Sequence, residues 1–325
     1  MAVLVTGGAG YIGSHAAHAL ADRGETVVVL DNLSAGVRVF VPSSALFVTG
    51  NAGNPQLLRQ IIRDNGITAV MHFAGSIAVP ESIERPLDYY VNNTAVSRTL
   101  IQVCVEEQVR HFIFSSTAAV YGAVDMAPVS ETAATNPLSP YGHSKLMTEW
   151  MLEDAARAHD FRYVALRYFN VAGIDPSGRT GQPDRQEPHL IKQAAQVVIG
   201  SADHLDIFGT DYPTHDGTAV RDYIHVCDLV AAHLLALASL RSGTAHAVFN
   251  CGYGKGSSVL DVVSAFERVT GRPLPVRSAP RRAGDAACVV ANPSRLFDAL
   301  GWQPRFDDLD TIVRSALEWE ARANS

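Results

Sequence analysis

The stretch VTGGAGYIG at residues 5–13 decides the fold, because closely spaced glycines join a short apolar run to a helix-like segment. A tight turn after a strand needs a residue that tolerates positive φ, and a phosphate that approaches the backbone closely leaves no room for a side chain. The helix that follows offers its N–H groups and a favourable dipole to that phosphate. The spacing of Gly7, Gly10 and Gly13 therefore predicts a dinucleotide-binding turn.

One acidic residue indicates which dinucleotide is bound. Asp31 follows the second apolar run of the chain, where a carboxylate accepts hydrogen bonds from the ribose hydroxyls of the cofactor. The same charge repels a 2′-phosphate, so Asp31 favours NAD over NADP. A glycine turn with a purely structural use is the alternative interpretation.

Short apolar runs alternate with helix-like segments through the first half of the chain. The runs are rich in Val, Ile or Phe, as is typical of parallel strands buried on both faces. The predicted strands are Ala2–Thr6, Thr26–Leu30, Leu46–Val48, Ala69–Phe73, His111–Ser115 and Tyr163–Arg167. The predicted helices are Tyr11–Arg23, Tyr89–Glu107 and Ser144–Ala158. This alternation predicts an α/β fold with a Rossmann-type, doubly wound parallel sheet.

The pattern loosens after Asn170, where loops rich in Gly, Pro and Asp separate further helix-like segments. We therefore expect residues 1–170 to form an NAD-binding Rossmann domain. Residues 171–325 are expected to form mainly a smaller, mixed α/β lobe that binds the substrate. A segment at about 215–245 is expected to return to the first domain.

Composition excludes several classes of protein. Apolar residues make up 47% of the 325 residues and charged residues 18%, which rules out disorder over most of the chain. The formal net charge of -7 gives no support to nucleic-acid binding. No apolar run approaches the roughly 20 residues of a membrane-spanning helix. Because the start lacks a basic leader and the four cysteines form no CxxC pair, we expect a cytoplasmic protein with reduced thiols.

Tyr141 and Lys145 form a YxxxK pair, a spacing that places both side chains on one face of a helix. A lysine ammonium lowers the pKa of a neighbouring phenol, and the phenolate can act as a general base on a substrate hydroxyl. Thr117 ends the fifth predicted strand, where open α/β sheets bind ligands, and can bridge that hydroxyl to Tyr141. Capping of the strand end by Ser115–Thr117 is the alternative interpretation.

Three motifs resemble the extended short-chain dehydrogenase/reductase family: GGAGYIG at residues 7–13, SSTAAVYG at 115–122 and YGHSK at 141–145. More narrowly, IFGTDYPTHDGTAVRDYIHV at 207–226 and APRRAGD at 279–285 resemble the UDP-glucose 4-epimerase family within it. The resemblance covers nearly the whole chain. It implies an enzyme that interconverts UDP-glucose and UDP-galactose by transient oxidation at carbon 4 with tightly bound NAD.

The resemblance also implies roles for individual residues. Tyr141 takes the proton of the 4-hydroxyl, Thr117 binds the same oxygen, and Lys145 binds the nicotinamide ribose. The implied cofactor-binding residues are Gly7, Gly10, Tyr11, Ile12, Gly13, Asp31, Asn32, Asn51, Ala52, Phe73, Ala74, Gly75, Asn92, Ser115, Tyr141, Lys145 and Tyr168. The implied substrate-binding residues are Thr117, Asn170, His189, Ile207, Phe208, Arg221, Arg282, Asp285 and Cys288.

Within the substrate set, the resemblance puts Arg221 and Arg282 on the diphosphate and Asp285 on the uridine ribose. Phe208 is implied to lie by the uracil, together with Ile207. Two other interpretations stay open at this point. Arg221 can pair with Asp222 or Asp228 on the surface, and Phe208 can be an ordinary core residue.

The chain departs from the family pattern at several positions. Asn51 stands where an aspartate is common near the adenine, and Ile77 where some members have a lysine that reaches the cofactor phosphates. His189 stands where relatives often have an asparagine that faces the substrate. Cys288 stands where members restricted to UDP-glucose and UDP-galactose tend to have a bulky tyrosine. A small residue there leaves room for a 2-acetamido group, which implies activity on UDP-N-acetylhexosamines as well.

Other functions are weighed on the same residues. A sugar-nucleotide 4,6-dehydratase needs acids after the strand-five threonine, where this chain has Ala118 and Ala119. A reductase with exchangeable cofactor, an epimerase for another UDP-sugar such as UDP-N-acetylglucosamine or a UDP-pentose, and a non-catalytic NAD-binding regulator are further alternatives. His15 and His18 share a helix face without an evident third ligand, so no metal is expected. The apolar stripe of Leu87–Val105 and the resemblance favour a homodimer.

Overall fold

A computed structural model describes residues 1–124, 128–183, 189–282 and 285–323. The strands are β1 (Ala2–Thr6), β2 (Thr26–Asp31), β3 (Leu46–Thr49), β4 (Ile67–His72), β5 (His111–Thr117), β6 (Arg162–Tyr168), β7 (Asn170–Ala172), β8 (Leu205–Phe208), β9 (Val220–His225), β10 (Ala247–Cys251), β11 (Gly256–Ser258), β12 (Val276–Ala279) and β13 (Cys288–Val289). The helices are α1 (Tyr11–Ala21), α2 (Pro55–Asn65), α3 (Val79–Glu84), α4 (Pro86–Tyr89), α5 (Val96–Glu106), α6 (Pro140–Ala158), α7 (Leu190–Val198), α8 (Val226–Arg241), α9 (Val259–Thr270), α10 (Ser294–Leu300) and α11 (Leu309–Ala323).

Packing divides the chain into two compact units. The first unit comprises Met1–Gly122, Ala134–Arg167 and Val230–Phe249. The second unit comprises Ala123–Ala133, Tyr168–Leu229 and Asn250–Ser325. These limits describe packing, and the domain boundary at residue 170 that the sequence suggests stays a prediction.

The first unit is built on a seven-stranded sheet in the order β10-β6-β5-β4-β1-β2-β3. The pairs β1–β2, β2–β3, β1–β4 and β4–β5 are parallel. Every residue of β1 is buried, because helices cover both faces of the sheet and the strand is apolar throughout except at its last residue. The strand order reverses between β2 and β4, on either side of β1, so their carboxyl ends open into the crevice typical of this fold. The predicted Rossmann-type fold is confirmed.

One predicted helix is interrupted in the structure. The segment Tyr89–Glu107 is not a single α-helix, because a π-helical turn at Tyr90–Ala95 separates α4 from α5. The π-helical turn directs the Asn93 side chain into the interior, and only 2% of this residue is exposed. Such turns are frequent at functional sites, and here the turn brings an amide to the reactive side chains described below.

The second unit has the mixed α/β character that the sequence predicts. Its larger sheet has the order β11-β9-β13, with β7 also paired to β9, and β8 pairs in parallel with β12. The buried carboxylate of Asp222 holds separate loops together by accepting the N–H groups of Tyr253 (2.9 Å), Gly254 (2.9 Å) and Ala291 (3.2 Å). None of the described helices combines the length and the apolar character that crossing a membrane requires.

We predict that Asp222→Asn lowers the free energy of unfolding by about 2 kcal/mol. The side chain keeps its shape, but its NH₂ group then faces the N–H groups of Gly254 and Ala291, which lose their acceptor. Urea unfolding followed by tryptophan fluorescence measures the change, and the exposed Asp203→Asn serves as the control. Equal stability of the two variants would contradict the role assigned to Asp222.

Candidate active site

The glycine turn after β1 is shaped as the sequence predicts. Gly7 has φ +70°, and its carbonyl accepts the Gly10 N–H at 3.1 Å. A Cβ on Gly13 would lie 2.2 Å from the Gly7 oxygen, and a Cβ on Gly7 would lie 2.5 Å from the Ala74 nitrogen. Only glycine allows these approaches, which bring the turn against Phe73 and Ala74 after β4. The α1 helix then begins at Tyr11 without a side-chain cap, so its N-terminus is suited to an anion.

Asp31 at the end of β2 has a structural use as well as a predicted binding role. Its carboxylate accepts the N–H groups of Ala9 at 3.0 Å and Leu33 at 2.8 Å. A carboxylate has about four acceptor positions, so two are left for ribose hydroxyls. Asp31 therefore fixes the glycine turn and can bind a cofactor at the same time.

Two further predicted cofactor-binding residues, Asn32 and Asn51, form turns. Asn32 accepts from the backbone N–H and the hydroxyl of Ser34, and Asn51 accepts the N–H of Gly53 at 2.7 Å. Asn51 is exposed and Ala52 is buried. These contacts place both asparagines after parallel strands, at the same edge of the sheet as Asp31.

Thr117, Tyr141 and Lys145 meet at the end of β5, and all three are at least nine-tenths buried. The Ser139 side chain caps α6 by accepting the Gly142 N–H, and Pro140 occupies the first helical turn. Burial raises the pKa of Tyr141, whereas its hydrogen bond with Thr117 lowers that pKa. The structure thus joins two of the predicted catalytic side chains directly.

Lys145 binds the same strand end through a different atom. Its Nζ donates to the Ser115 carbonyl at 2.9 Å and lies 5.0 Å from the centre of the Phe114 ring. Burial lowers the pKa of Lys145 to about 8, and the negative charge of Glu149 acts in the opposite direction. The ammonium therefore sits near its titration point at neutral to slightly alkaline pH.

Sequence reasoning missed three residues beside this set. Asn93 accepts the Ser76 N–H at 2.8 Å and donates to the Ser144 hydroxyl at 3.0 Å. A Cβ on Gly75 would lie 3.0 Å from the Asn93 oxygen and 3.8 Å from the Lys145 nitrogen. The predicted Asn92 instead donates to the Ser76 hydroxyl at 2.8 Å. Asn93 follows Asn92 in the sequence, and only the π-helical turn shows which of the two faces inward.

The other two missed residues are histidines. His233 on α8 lies 3.1 Å from the Ser115 hydroxyl, and its ring lies 4.9 Å from that of Phe73. His72 contacts the hydroxyls of Thr6 at 2.6 Å and Ser97 at 2.9 Å. Burial, with a smaller effect of the Lys145 charge, lowers the pKa of His72 to about 3, so its ring is neutral. His233 lies far from Phe73 and Ser115 in the sequence, and no local signal links them.

The second unit brings together four of the predicted substrate residues in two pairs. The Arg221 guanidinium pairs with Asp285, rather than with Asp222 or Asp228. The carboxylates of Asp222 and Asp228 accept other groups within the unit. The Arg282 guanidinium lies 3.9 Å above the centre of the Phe208 ring. Charged groups beside an aromatic ring suit a nucleotide diphosphate.

The structure places the remaining predicted residues at ends of elements. Ile207 lies in β8 and is buried, Tyr168 ends β6, and Asn170 begins β7. His189 is the N-terminal capping residue of α7, although its side chain caps no N–H group there. Tyr168 belongs to the second unit, so its predicted role beside the nicotinamide stays a prediction.

The register of β13 places Cys288 and Arg221 on different faces of the sheet. Cys288 pairs with Val220 and Val289 pairs with Arg221, so Val289 shares a sheet face with Arg221. A Cβ built on Gly256 would meet the side chains of both Val220 and Val290, which places those two on the opposite face. By alternation Cys288 lies on the face of Val220 and Val290. Val289 is therefore the β13 residue on the Arg221 face.

The histidines that the sequence analysis considered for a metal bind backbone carbonyls. His15 Nδ1 lies 2.7 Å from the Tyr11 oxygen, and His18 Nε2 lies 3.1 Å from the Phe40 oxygen. Both contacts fix α1 and its surroundings. They give both histidines a structural role, although His15 is buried and does not lie on the helix surface that the sequence suggests.

The chain is similar to known UDP-glucose 4-epimerases over nearly its whole length. A UDP-glucose 4-epimerase from Azospirillum brasilense is 56% identical over 318 residues, 98% of this chain and 91% of that protein. The crystal structure of UDP-glucose 4-epimerase from Brucella ovis in complex with NAD is 43% identical, with a TM-score of 0.94 and 98% of each chain covered. The UDP-Glc/GlcNAc 4-epimerase from Campylobacter jejuni is 42% identical, with a TM-score of 0.86 and 99% of each chain covered.

The family match covers most of the chain. Residues 3–252 match the NAD dependent epimerase/dehydratase family. This stretch includes the glycine turn, Asp31, the end of β5 and the YxxxK pair. The chain belongs to the NAD dependent epimerase/dehydratase family.

Proposed function

We propose that the protein interconverts UDP-glucose and UDP-galactose by inverting carbon 4, with NAD as its resident cofactor. One observation carries the proposal: Tyr141, hydrogen-bonded to Thr117, shares the carboxyl end of β5 with Lys145. Relatives with this activity match over nearly their full length. When bound, NAD supplies reversible acceptance of a hydride from carbon 4 of the sugar.

The chain's own residues then have separate tasks. Tyr141 accepts the proton of the 4-hydroxyl as that carbon is oxidised and returns it after the sugar has turned over. Thr117 holds the reacting oxygen. Lys145 binds the nicotinamide ribose, and its positive charge, together with that of the oxidised nicotinamide, favours the phenolate of Tyr141 against the effect of burial.

The second unit supplies the nucleotide contacts. Arg221 and Arg282 bind the diphosphate, because guanidinium groups match phosphate oxygens in charge and geometry. Asp285 accepts from the uridine ribose, and Phe208 lies by the uracil with Ile207. Cation–π contact between Arg282 and Phe208 keeps both groups in place before the nucleotide arrives.

The alternatives fit the site less well. This protein lacks the acids that a 4,6-dehydratase needs, because alanines occupy both positions after Thr117. Ala118 and Ala119 form a short 3₁₀ turn there. A silent NAD-binding regulator has no need for a buried tyrosine, threonine and lysine brought to one strand end. An epimerase for another UDP-sugar is a variation of the same chemistry, which differs in the pocket around the sugar.

We predict that Tyr141→Phe lowers kcat on the order of 10³-fold, because the general base is lost while the fold is kept. The assay follows conversion of UDP-galactose to UDP-glucose without added NAD. The matched control is Tyr163→Phe, whose hydroxyl binds Glu153 instead. Full activity of Tyr141→Phe, or wild-type activity that depends on added NAD, would contradict the proposal.

We further propose that the enzyme also accepts UDP-N-acetylhexosamines. The small residues of β13 support this: the resemblance implies Cys288 as the decisive position, and we propose Val289 beside it, because Val289 shares the sheet face of Arg221. A relative that acts on both glucose and N-acetylglucosamine substrates shares this fold. The 2-acetamido group is expected to occupy space that a tyrosine would fill.

We predict that Val289→Tyr lowers kcat/KM for UDP-N-acetylglucosamine at least about 10-fold more than kcat/KM for UDP-glucose. Cys288→Tyr is the comparison, because it places the same ring on the other sheet face. Selective loss in Cys288→Tyr alone would return the role to Cys288. Wild-type protein without measurable activity on UDP-N-acetylglucosamine would rule out the broader substrate range.

A homodimer in the cytoplasm is the proposed state of the protein. Leu87 and Val91 expose 74% and 65% of their surface on the predicted pairing face. Beside α5, residues such as Ile101, Val105 and Met151 line a groove of about 450 Å³. Exposed apolar side chains of this size favour pairing with a second copy. All four cysteines are free thiols, as suits a reducing compartment.

We predict that the double variant Leu87→Glu/Val91→Glu is a monomer, because two carboxylates at the pairing face oppose burial there. Light scattering after size-exclusion chromatography measures the mass. Val276→Glu changes an apolar residue of the second unit that is 45% exposed and serves as the control. An unchanged dimer in the double variant would place the interface elsewhere.

A further inference from the structure

A buried ion pair between Arg167 and Glu149 lies next to the reactive set, which consists of Thr117, Tyr141 and Lys145. The proposed function does not use this ion pair. The Arg167 guanidinium binds Glu149 through Nη2 at 2.6 Å and Nε at 3.0 Å, with side chains 8% and 5% exposed. Replacing such a pair by apolar residues often leaves stability equal or higher, so stability alone gives a weak reason for its presence. Its surroundings suggest another reason.

Glu149 extends the catalytic face of α6. Tyr141, Lys145 and Glu149 follow one another at intervals of four residues, so their side chains project from the same side of the helix. The Ser116 hydroxyl donates to the Glu149 carboxylate. Three consecutive residues of β5 thus bind three successive side chains of α6.

Arg167 secures the chain on the other side of Thr117. Its Nη1 donates to the Tyr121 hydroxyl at 3.0 Å, and its guanidinium lies 5.0 Å from the centre of the Tyr121 ring. Tyr121 directly follows the short turn Ala118–Val120 after Thr117. The ion pair therefore holds the backbone immediately before and after the threonine that binds Tyr141.

The charge of Glu149 also acts on Lys145. Among the described residues of other elements, the Ser115 carbonyl accepts from Lys145 and the Phe114 ring lies 5.0 Å from its nitrogen. His72 on β4, whose ring is neutral, lies close enough for the Lys145 charge to lower its pKa. On its own helix, Tyr141 precedes it and Glu149 follows it. Burial lowers the pKa of Lys145 to about 8, and the negative charge of Glu149 prevents a further decrease. Arg167 faces Glu149 from β6 and anchors that carboxylate.

We propose that Glu149, held by Arg167, is a positioning residue that fixes the end of β5 around Thr117 and keeps Lys145 in its charged form. The proposal rests on the proposed function for its catalytic consequence. Its electrostatic part concerns only the pKa of Lys145, which can be measured without any substrate.

The first test is Glu149→Gln, which keeps the shape of the side chain and removes its charge. Without that charge the pKa of Lys145 falls, so the ammonium is lost at a lower pH. We expect the alkaline limb of the kcat/KM profile to move down by about one pH unit. Glu153→Gln, one helical turn further along α6, is the control and is expected to keep the wild-type profile.

A double variant separates positioning from folding. Glu149→Gln leaves the Arg167 charge buried without its partner, which is expected to destabilise the protein. Glu149→Gln/Arg167→Met removes both charges and is expected to regain thermal stability while it keeps the shifted alkaline limb. A double variant with both wild-type stability and the wild-type pH profile would overturn the proposal and leave the pair a purely structural one.

Direct titration of Lys145 makes the result independent of the reaction. The chain has only three lysines, Lys145, Lys192 and Lys255, so ¹³Cε-lysine NMR gives three signals, which Lys192→Arg and Lys255→Arg assign. Lys145 is expected to titrate near pH 8 in the wild type and lower in both Glu149 variants. An unchanged titration refutes the inference. A shifted titration in a protein without epimerase activity refutes the proposed function instead.

Discussion

Pairing of three consecutive residues of β5 with three side chains of α6 is the constraint on which the reactive set depends. Lys145 binds the Ser115 carbonyl, Glu149 binds the Ser116 hydroxyl, and Tyr141 binds Thr117. A strand advances about 3.3 Å per residue and a helix about 6 Å per four residues. Because the two spacings differ, the three side chains of α6 reach β5 from different directions. They bind the backbone carbonyl of Ser115 and the hydroxyls of Ser116 and Thr117, which alternate between the two faces of the strand. A slip of one residue in either element would break all three contacts together.

The contacts between β5 and α6 are buried, and burial changes the pKa values of Tyr141 and Lys145. It raises the pKa of the Tyr141 phenol and lowers the pKa of the Lys145 ammonium, so it favours the neutral form of both groups. Proton transfer needs the opposite, a phenolate beside a charged lysine. The hydroxyl of Thr117 and the carboxylate of Glu149 act against burial in the protein itself, and a cationic nicotinamide adds to their effect when the cofactor is bound.

The sequence predicts the fold well because the fold depends on local signals. Glycines spaced for a tight turn, apolar runs of strand length and Asp31 after β2 each report on their own neighbourhood, and the structure confirms the parallel sheet that they predict. Thr117, Tyr141 and Lys145 were found because their motifs are short and chemically distinctive.

His233 was not found, because it reaches Ser115 from a helix 118 residues away. Asn93 was not singled out beside Asn92, because only the π-helical turn shows that its side chain faces inward. Similarly, only the pairing register of β13 shows that Val289, and not Cys288, shares the sheet face of Arg221, because composition and motif do not contain a register.

The Arg221–Asp285 ion pair is compatible with the nucleotide-binding roles proposed for both residues. A guanidinium has five donors and a carboxylate about four acceptor positions, so a salt bridge between them leaves each with capacity for a ligand. The pair also lowers the cost of holding an arginine in place before a diphosphate arrives, because the side chain is already ordered. With Asp285 beside it, Arg221 attracts a bare anion less strongly than an isolated arginine would. A ligand that offers phosphate oxygens to Arg221 and hydroxyl donors to Asp285 together, as a nucleoside diphosphate does, suits the pair as a whole.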